Sequence, residues 1–245
     1  MKILVCMSVV PDTTTKITFT DNNTSFNTDG VQFIINPYDE LALTKALELT
    51  EANGGSVTVI HVGLASSEPV IRKALAIGAQ EAIRVDSVAH DGMFVAQEIS
   101  HIAKDGEYDL ILTGRESIDY NGGQVAAAIA AVLDVPLMNV VSDFSIDGST
   151  VIAKRDIDGG KEELKASLPC VISAQKDLCE ARIPNMRGIM QARTKPLNVV
   201  SSQGASQDTS FNSYELPEAK SGVQMIDADN AEELIDLLHN QKKLF

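Results

Sequence analysis

The sequence contains no tryptophan, and aromatic residues fill only 4% of its 245 positions. A flat cofactor ring would find few side chains to lie between, so the chain is poorly equipped to sandwich one by itself. There are three cysteines, Cys6, Cys170 and Cys179, an odd number without metal-type spacing. No disulfide framework is implied, and a reducing compartment is the simplest reading. Basic residues are in deficit, with 20 Lys and Arg against 34 Asp and Glu, a formal charge of −14. That balance argues against nonspecific binding to nucleic acid or to an anionic membrane. No apolar run approaches the roughly 18 residues that a membrane span requires. The N-terminal "MKILVCMSVV" imitates a signal peptide because a Lys precedes an apolar run. It is short, lacks a small-residue cleavage site and runs into Pro11-Asp12, so it reads as a buried first strand. A cytoplasmic protein is expected.

What is present is an ordinary globular composition, 44% hydrophobic and 22% charged, able to bury a sizeable core in one α/β domain with an appendage. Short apolar runs ("KILVCMSVV", "SVTVIHVGL", "EAIRVD", "YDLILTG", "LPCVISAQ") alternate with helical patterns at 38–52, 68–78, 92–104 and 122–134. In the first helix Leu43, Ala46, Leu47 and Thr50 share a face, leaving Glu48 and Glu51 to water. Strands alternating with helices of this length predict an α/β fold, a doubly wound and mostly parallel sheet covered on both faces. "KITFTDNNTSFNTDGVQFII" predicts a β-hairpin projecting from the first strand, and "VIAKRDIDGGKEELKAS" predicts a second around its Gly-Gly turn. From Ser201 the polar "SSQGASQDTSFNSYELPEAKSG" reads as linker. It leads to a short helix capped by Asp229 or Asn230, with Leu234, Leu237 and Leu238 as its stripe. The chain therefore divides into an α/β domain at 1–195 and a C-terminal arm at 196–245. Such a helix cannot bury its stripe alone, so it packs back or docks on another chain.

In a doubly wound sheet, ligands bind beyond the carboxyl ends of the strands, where the strand order reverses. Three loops qualify. One follows the first strand, from Cys6 to Asp12. The second is "INPYDELALTKAL", in which Asn36 occupies an N-cap, Pro37 the first helical position and Asp39 the capping-box position. The carboxylates of Asp39 and Glu40 complement the helix dipole and would repel phosphate there, so this loop suits a base or ribose. The third is "TGRESIDYNGGQVAAAIAAVL", where a helix opens near Asn121 and Gly122-Gly123 let backbone N–H groups approach a ligand, the usual place for phosphate. It contains neither Gly-Lys-Ser/Thr nor GxGxxG. The histidines, His61, His90, His101 and His239, are scattered and form no metal or triad pattern, and His61 reads as a satisfied, half-buried strand residue. No Ser sits in a GxSxG elbow. No catalytic residue and no metal ligand can be named.

Taken in order, "NPYDELALTKALEL", "IRKALAIGAQEAIRV", "YDLILTGRESIDYNGGQ", "KRDIDGGKEELKASLP" and "NMRGIMQARTKPL" resemble the beta subunit of electron transfer flavoprotein, from residue 2 to about 200. The resemblance implies an adenine-nucleotide α-hydrolase-like fold with hairpin insertions and an extended C-terminal arm. It implies an electron-carrier subunit without substrate turnover of its own. An alpha subunit would hold most of the FAD contacts, while beta binds a structural AMP. Further implied partners are a flavin-dependent dehydrogenase, such as an acyl-CoA dehydrogenase, and a quinone-linked acceptor oxidoreductase. Carried across by position, the AMP pocket would be lined by Cys6, by Asn36, Pro37, Tyr38 and Asp39, by Val62, and by Gly114, Asp119, Asn121, Gly122, Gly123, Gln124 and Val125. Many relatives carry Asn-Gln-Thr where this chain has Gly123-Gln124-Val125, so a side-chain amide and a hydroxyl are absent and phosphate is left mainly to backbone donors. In electron-bifurcating relatives the same pocket holds a second FAD. "EARIPNMRGIM" is similar to the family's recognition loop, with Met186 where relatives usually place Leu and with Arg182 and Arg187 flanking it to meet acidic partner groups. Asp156 matches an acidic position that pairs with the mobile flavin domain of alpha. A stand-alone adenine-nucleotide-binding protein would share the fold but would carry a Gly-rich loop near its last strand, where this chain has Ile-Met-x-Ala.

Overall fold

The computed structural model describes residues 1–89, 91–220 and 222–245, so His90 lies outside the described residues. In chain order the elements are β1 (Lys2–Cys6), β2 (Val9–Pro11), β3 (Phe19–Thr20), β4 (Ser25–Phe26), β5 (Phe33–Ile35) and α1 (Pro37–Asn53). Next come β6 (Ser56–Val62), α2 (Glu68–Ile77), β7 (Glu81–Asp86), α3 (Gly92–Gly106), β8 (Leu110–Gly114) and α4 (Val125–Leu133). They are followed by β9 (Leu137–Val141), β10 (Asp143–Asp147), β11 (Thr150–Ile157), β12 (Gly160–Ser167) and β13 (Cys170–Ala174). The last are α5 (Met186–Ala192), β14 (Leu197–Ser201) and α6 (Ala231–Asp236).

Among the described residues one seven-stranded sheet dominates, in the order β14-β7-β6-β1-β8-β13-β9, with every neighbouring pair parallel. This is the doubly wound α/β architecture expected. Strands covered on both faces are apolar throughout; Ile3, Leu4 and Val5 of the central strand are each 0% exposed. Alternation along the strands sends Ile3, Val5, Val57 and Val59 into a core shared with α1 and α2. Leu4, Cys6, Ile60 and Val62 enter the opposite core, shared with α3 and α4.

Both hairpins form. Phe19 pairs with Phe26 across a short turn, and the stems beyond pair β2 with β5. Thr150 pairs with Ser167 through to Ile157 with Gly160, and β10 extends this hairpin to three strands. The sequence pattern did not single out β9, whose Val140 has a φ of 61° and whose pairing with β13 shifts register. The sheet also runs on beyond residue 195, because β14 pairs with β7 as its outer strand. The helix expected from Asn121 begins instead at Val125. Ser117 and Gly122 bridge across the intervening turn, which delays its start. Asn230 stands at the N-cap of α6, and no residue of α6 is buried. No helix among the described residues is long and apolar enough to cross a membrane.

Candidate functional site

The chain leaves β1 in one direction toward β6 and β7 and returns to β8 on its other side, so the sheet reverses between β1 and β8. At that point the carboxyl ends of β1, β6 and β8 open into a cavity of about 250 Å³. Such crevices are where open α/β sheets bind ligands.

Its floor is organised by Asp39. The capping-box expectation is corrected here, because Asn36 makes no side-chain cap. Asn36 Nδ2 donates to the Glu116 carbonyl at 2.8 Å, and its Oδ1 accepts from the Ile118 amide at 3.4 Å. The Asp39 carboxylate turns inward, accepting from the Ser8 amide and the Gly114 amide, both at 2.7 Å. It thereby ties the ends of β1 and β8 to the start of α1. Gly114 permits this approach, since a Cβ there would run into Asp39 Oδ1 and lie 2.7 Å from Tyr38 Cβ. Burial pushes the Asp39 carboxyl up to about 7, against the downward pull of its hydrogen bonds from Ser8, Gly114 and Asn36. Cys6 is 5% exposed, and burial together with the nearby Asp39 charge pushes its thiol far above the usual range. It acts as an apolar wall rather than as a thiolate.

Three helix N-termini surround the cavity, and their chemistry differs. Helix α1 carries Asp39 and Glu40 in its first turn. Helix α3 is capped by Asp91, whose side chain accepts from the Phe94 amide at 2.7 Å. Helix α4 has no acidic residue in its first turn and no side-chain cap. First-turn amides have no acceptor inside their own helix, and the macrodipole favours an anion beside them. Of the three, α4 is therefore the end that suits phosphate. Arg115 lines the same cavity; its guanidinium sits 5.6 Å from the Tyr38 ring centroid and bonds Glu116 at 3.1 Å. Glu40 is engaged elsewhere, by Lys73 at 2.6 Å.

Of the residues expected at a nucleotide pocket, Cys6, Asn36, Asp39, Val62, Gly114, Asp119, Gly122, Gly123 and Val125 line the cavity. Pro37 opens α1 and Tyr38 lies beneath Arg115. Asn121 takes a left-handed turn conformation at φ 54°, and Gln124 lies against Gly92 of α3. Ser8, Arg115 and Tyr120 lie within the loops the sequence marked without being singled out, while His61, Asp91 and Phe211 were missed. Asp91 had a legible signal, an acid directly before the helical "GMF". Phe211 had none, lying in a polar stretch. His61 is more buried than expected, at 7% exposed. Its Nδ1 lies 2.9 Å from the Met7 carbonyl, while its Nε2 is buried without a partner among the described residues. A carbonyl can only accept, so Nδ1 carries the proton and Nε2 presents a lone pair.

Val9, Asp119, Tyr120 and Phe211 are shared with a second cavity of about 730 Å³, bounded by the β2–β5 stem and the β3–β4 hairpin. Four of the seven Phe and two of the four Tyr in the chain line it. Composition had suggested that rings were too few to sandwich a cofactor; the structure concentrates them in one place.

The expected docking residues lie on and around α5 and on the β11–β12 hairpin. Asn185 caps α5, accepting from the Gly188 amide at 2.8 Å. Gly188 rests on α2 so closely that a Cβ would run into the Ala76 carbonyl oxygen. Arg72 donates to the Ala192 and Lys195 carbonyls at 2.8 and 2.6 Å, and Lys195 Nζ donates to Leu75 and Ala79 at 2.8 and 2.7 Å. On this fixed mount, Ile183 is 87% exposed, Met186 74% and Met190 69%. Arg187 is exposed, but Arg182 is already held by Glu51 through two bonds of 2.6 and 3.0 Å. Asp156 lies across the β11–β12 hairpin from Lys161, 3.5 Å away.

Comparison with known proteins identifies the family. A family model described as "Electron transfer flavoprotein domain" matches residues 24–204. The electron transfer flavoprotein subunit beta of Bacillus subtilis (strain 168) is 34% identical over the full length of both chains. Subunit CarD of the caffeyl-CoA reductase-Etf complex of Acetobacterium woodii is 31% identical, covering 99% of this chain and 98% of its own. The Bos taurus electron transfer flavoprotein subunit beta is 32% identical over 82% of this chain and 81% of its own. The chain belongs to the electron transfer flavoprotein family, among its beta subunits.

Proposed function

We propose that the chain is one half of a cytoplasmic heterodimeric electron carrier and holds AMP in the switch-point cleft as a structural ligand. The observation that carries this reading is the contrast among the three helix N-termini around the cavity, of which only α4 offers amides without acid. Phosphate would lie at the α4 end beside Arg115, and the sugar and base toward Asn36, Val62 and Cys6. Redox FAD would be held mainly by an alpha subunit. When bound, it supplies the electron-accepting ring. This chain's part is to bind, orient and dock. The exposed Ile183, Met186 and Met190 on their rigid mount suit an apolar socket on a flavin-dependent dehydrogenase, with Arg187 at the rim. The name of the Acetobacterium relative points to partners acting on CoA thioesters, and a quinone-linked oxidoreductase would take the electrons onward. The arm beyond residue 214, whose Val223, Met225, Leu244 and Phe245 are 70% or more exposed, would lie on alpha.

A second reading is favoured by the aromatic-lined cavity that shares a wall with the first. A dinucleotide could place its adenylate in the smaller cavity and a second ring system in the larger, making this the subunit that carries an additional FAD. Purifying the co-expressed pair and identifying its extracted nucleotides separates the two. One FAD and one AMP per pair support the first reading and two FAD the second. FAD alone refutes a nucleotide role for the cleft.

A further inference from the structure

Among the described residues beyond β14 there is no regular structure until α6, yet the first stretch is not loose. Glu98 of α3, 0% exposed, accepts from Ser202 Oγ at 2.7 Å and from the Gln203 and Ala205 amides at 2.9 and 3.0 Å. Burial works to raise the Glu98 carboxyl, but these bonds outweigh it and hold it below the usual range. About two turns earlier, at the N-cap of α3, Asp91 divides its two oxygens. Oδ1 caps the helix, while Oδ2 accepts from the Asp208 and Thr209 amides at 2.9 and 2.8 Å and from Thr209 Oγ1 at 3.2 Å. Farther along, the Tyr214 amide donates to the Asn23 carbonyl at 2.7 Å. The Tyr214 ring stacks on Phe19 at 4.9 Å and on Phe211 at 5.5 Å. Among the described residues of 215–245, every recorded hydrogen bond stays inside that segment. The chain is thus tied down from 202 to 214, across the mouth of the cleft from α3 to the hairpin, and is untied beyond. In the middle of the tied stretch, Phe211 lines both cavities while remaining 64% exposed.

We propose that Phe211 is a ligand-covering residue of the cleft, and that residues 202–214 are a strap, clasped by Asp91, that must open before nucleotide can leave. This rests on the reading that the cleft holds an adenine nucleotide, and it adds the means of retention. An exposed aromatic side chain held over an open cavity in an otherwise polar segment has apolar surface for a ligand to cover. Asp91 provides a clean test because its two oxygens have separate duties. Asn is about as good an N-cap as Asp, so Asp91→Asn can keep the bond to Phe94. It places an amide donor where the Asp208 and Thr209 amides need an acceptor.

The experiment measures release of bound etheno-AMP, chased with excess AMP, from the full chain purified with its co-expressed partner. Asp91→Asn and Phe211→Ala should each speed release by about tenfold, since lost contacts act mainly on dissociation, with the unfolding midpoint unchanged. If the Asn variant lowers that midpoint, Phe211→Ala decides alone, because an exposed side chain can be removed without opening the core. Wild-type release rates in a variant that retains the fold overturn the strap while leaving the nucleotide reading intact. Failure of the wild-type protein to bind etheno-AMP or AMP removes both.

Discussion

Replacing Asp39 with Asn should change how the stability of the fold depends on pH. The carboxyl is 4% exposed, and burial raises it from 3.8 in an unfolded chain to about 7. Between those values the folded protein holds a proton that the unfolded chain has lost. The stability tied to that proton is complete below the unfolded pKa, falls as pH rises through the window and is gone above the folded one. At about 1.4 kcal/mol per pKa unit the whole effect is about 4 kcal/mol. About 2 kcal/mol of it falls between pH of about 5.5 and 8, clear of the pI near 4.6, where solubility is lowest. Asn cannot titrate. Its one oxygen can serve the Ser8 or the Gly114 amide but not both, which costs about 1–3 kcal/mol at any pH. The variant should therefore be less stable than wild type at the acid end, and the gap should shrink by about 2 kcal/mol toward the alkaline end. Urea unfolding of both proteins across this range, at fixed salt and nucleotide, measures it, because groups common to both cancel in the difference. A gap that stays constant or widens with pH would show that the backbone amides outweigh burial and keep Asp39 ionised throughout.

Three other substitutions probe the two surfaces. Gly188→Ala drives a methyl into the Ala76 carbonyl; it should cost about 1–3 kcal/mol and raise proteolysis between residues 180 and 193 while leaving AMP content alone. Met186→Ala should raise the apparent KM for the carrier in a dehydrogenase assay by about fivefold or more, the equivalent of losing 1 kcal/mol of docking energy. Dithionite reduction and the flavin spectrum should not change, and a loss of both flavin and fold would place Met186 in the core instead. Val125→Thr puts a hydroxyl at the first helical position of α4, in the cavity wall. AMP binding measured by calorimetry should strengthen by about 0.5–1.5 kcal/mol, and no gain would place phosphate elsewhere.

Local grammar made the fold legible: apolar runs of strand length separated by helical periodicity led directly to the doubly wound sheet. The same grammar misread residues whose partners are distant. Asp39 stands three residues after Asn36, as a capping box requires, but its actual partners are 31 and 75 positions away. Strand β9 escaped because the left-handed Val140 interrupts its alternation, and β14 because it is a short outer strand, three of its five residues exposed, that runs straight into the polar linker. The aromatic count was accurate and its inference misleading, since six rings come from three distant segments, at 19–33, 120 and 211–214, and meet only in the fold. Gly114 and Val125, which close β8 and open α4 at the sheet's carboxyl edge, were found through the family resemblance, which carried them across by position. Phe211 was not, because it is brought there by long-range ties, the Asp91 clasp on one side and the Tyr214 contacts with the hairpin on the other.

A formal charge of −14 was a sound reason to discount phosphate-rich polymers, and it is compatible with a phosphate ligand in the cleft. Net charge governs long-range encounter, whereas a buried site is governed by where individual oxygens point. The acids that line this cavity are engaged: Asp39 by Ser8 and Gly114, Asp91 by Phe94 and the strap, Glu116 by Arg115, and Asp119 by Ser117 and Tyr120. Asp39 and Asp91 each join pieces of backbone that no ladder or helix joins, so these two acids build part of the cleft's frame. With those oxygens occupied, the features left to meet a ligand are the α4 amides, the Arg115 guanidinium and the apolar walls of Cys6, Val62 and Phe211. An anion reaching the cleft exchanges water for preorganised N–H donors, and the acidic exterior acts chiefly on which anions arrive.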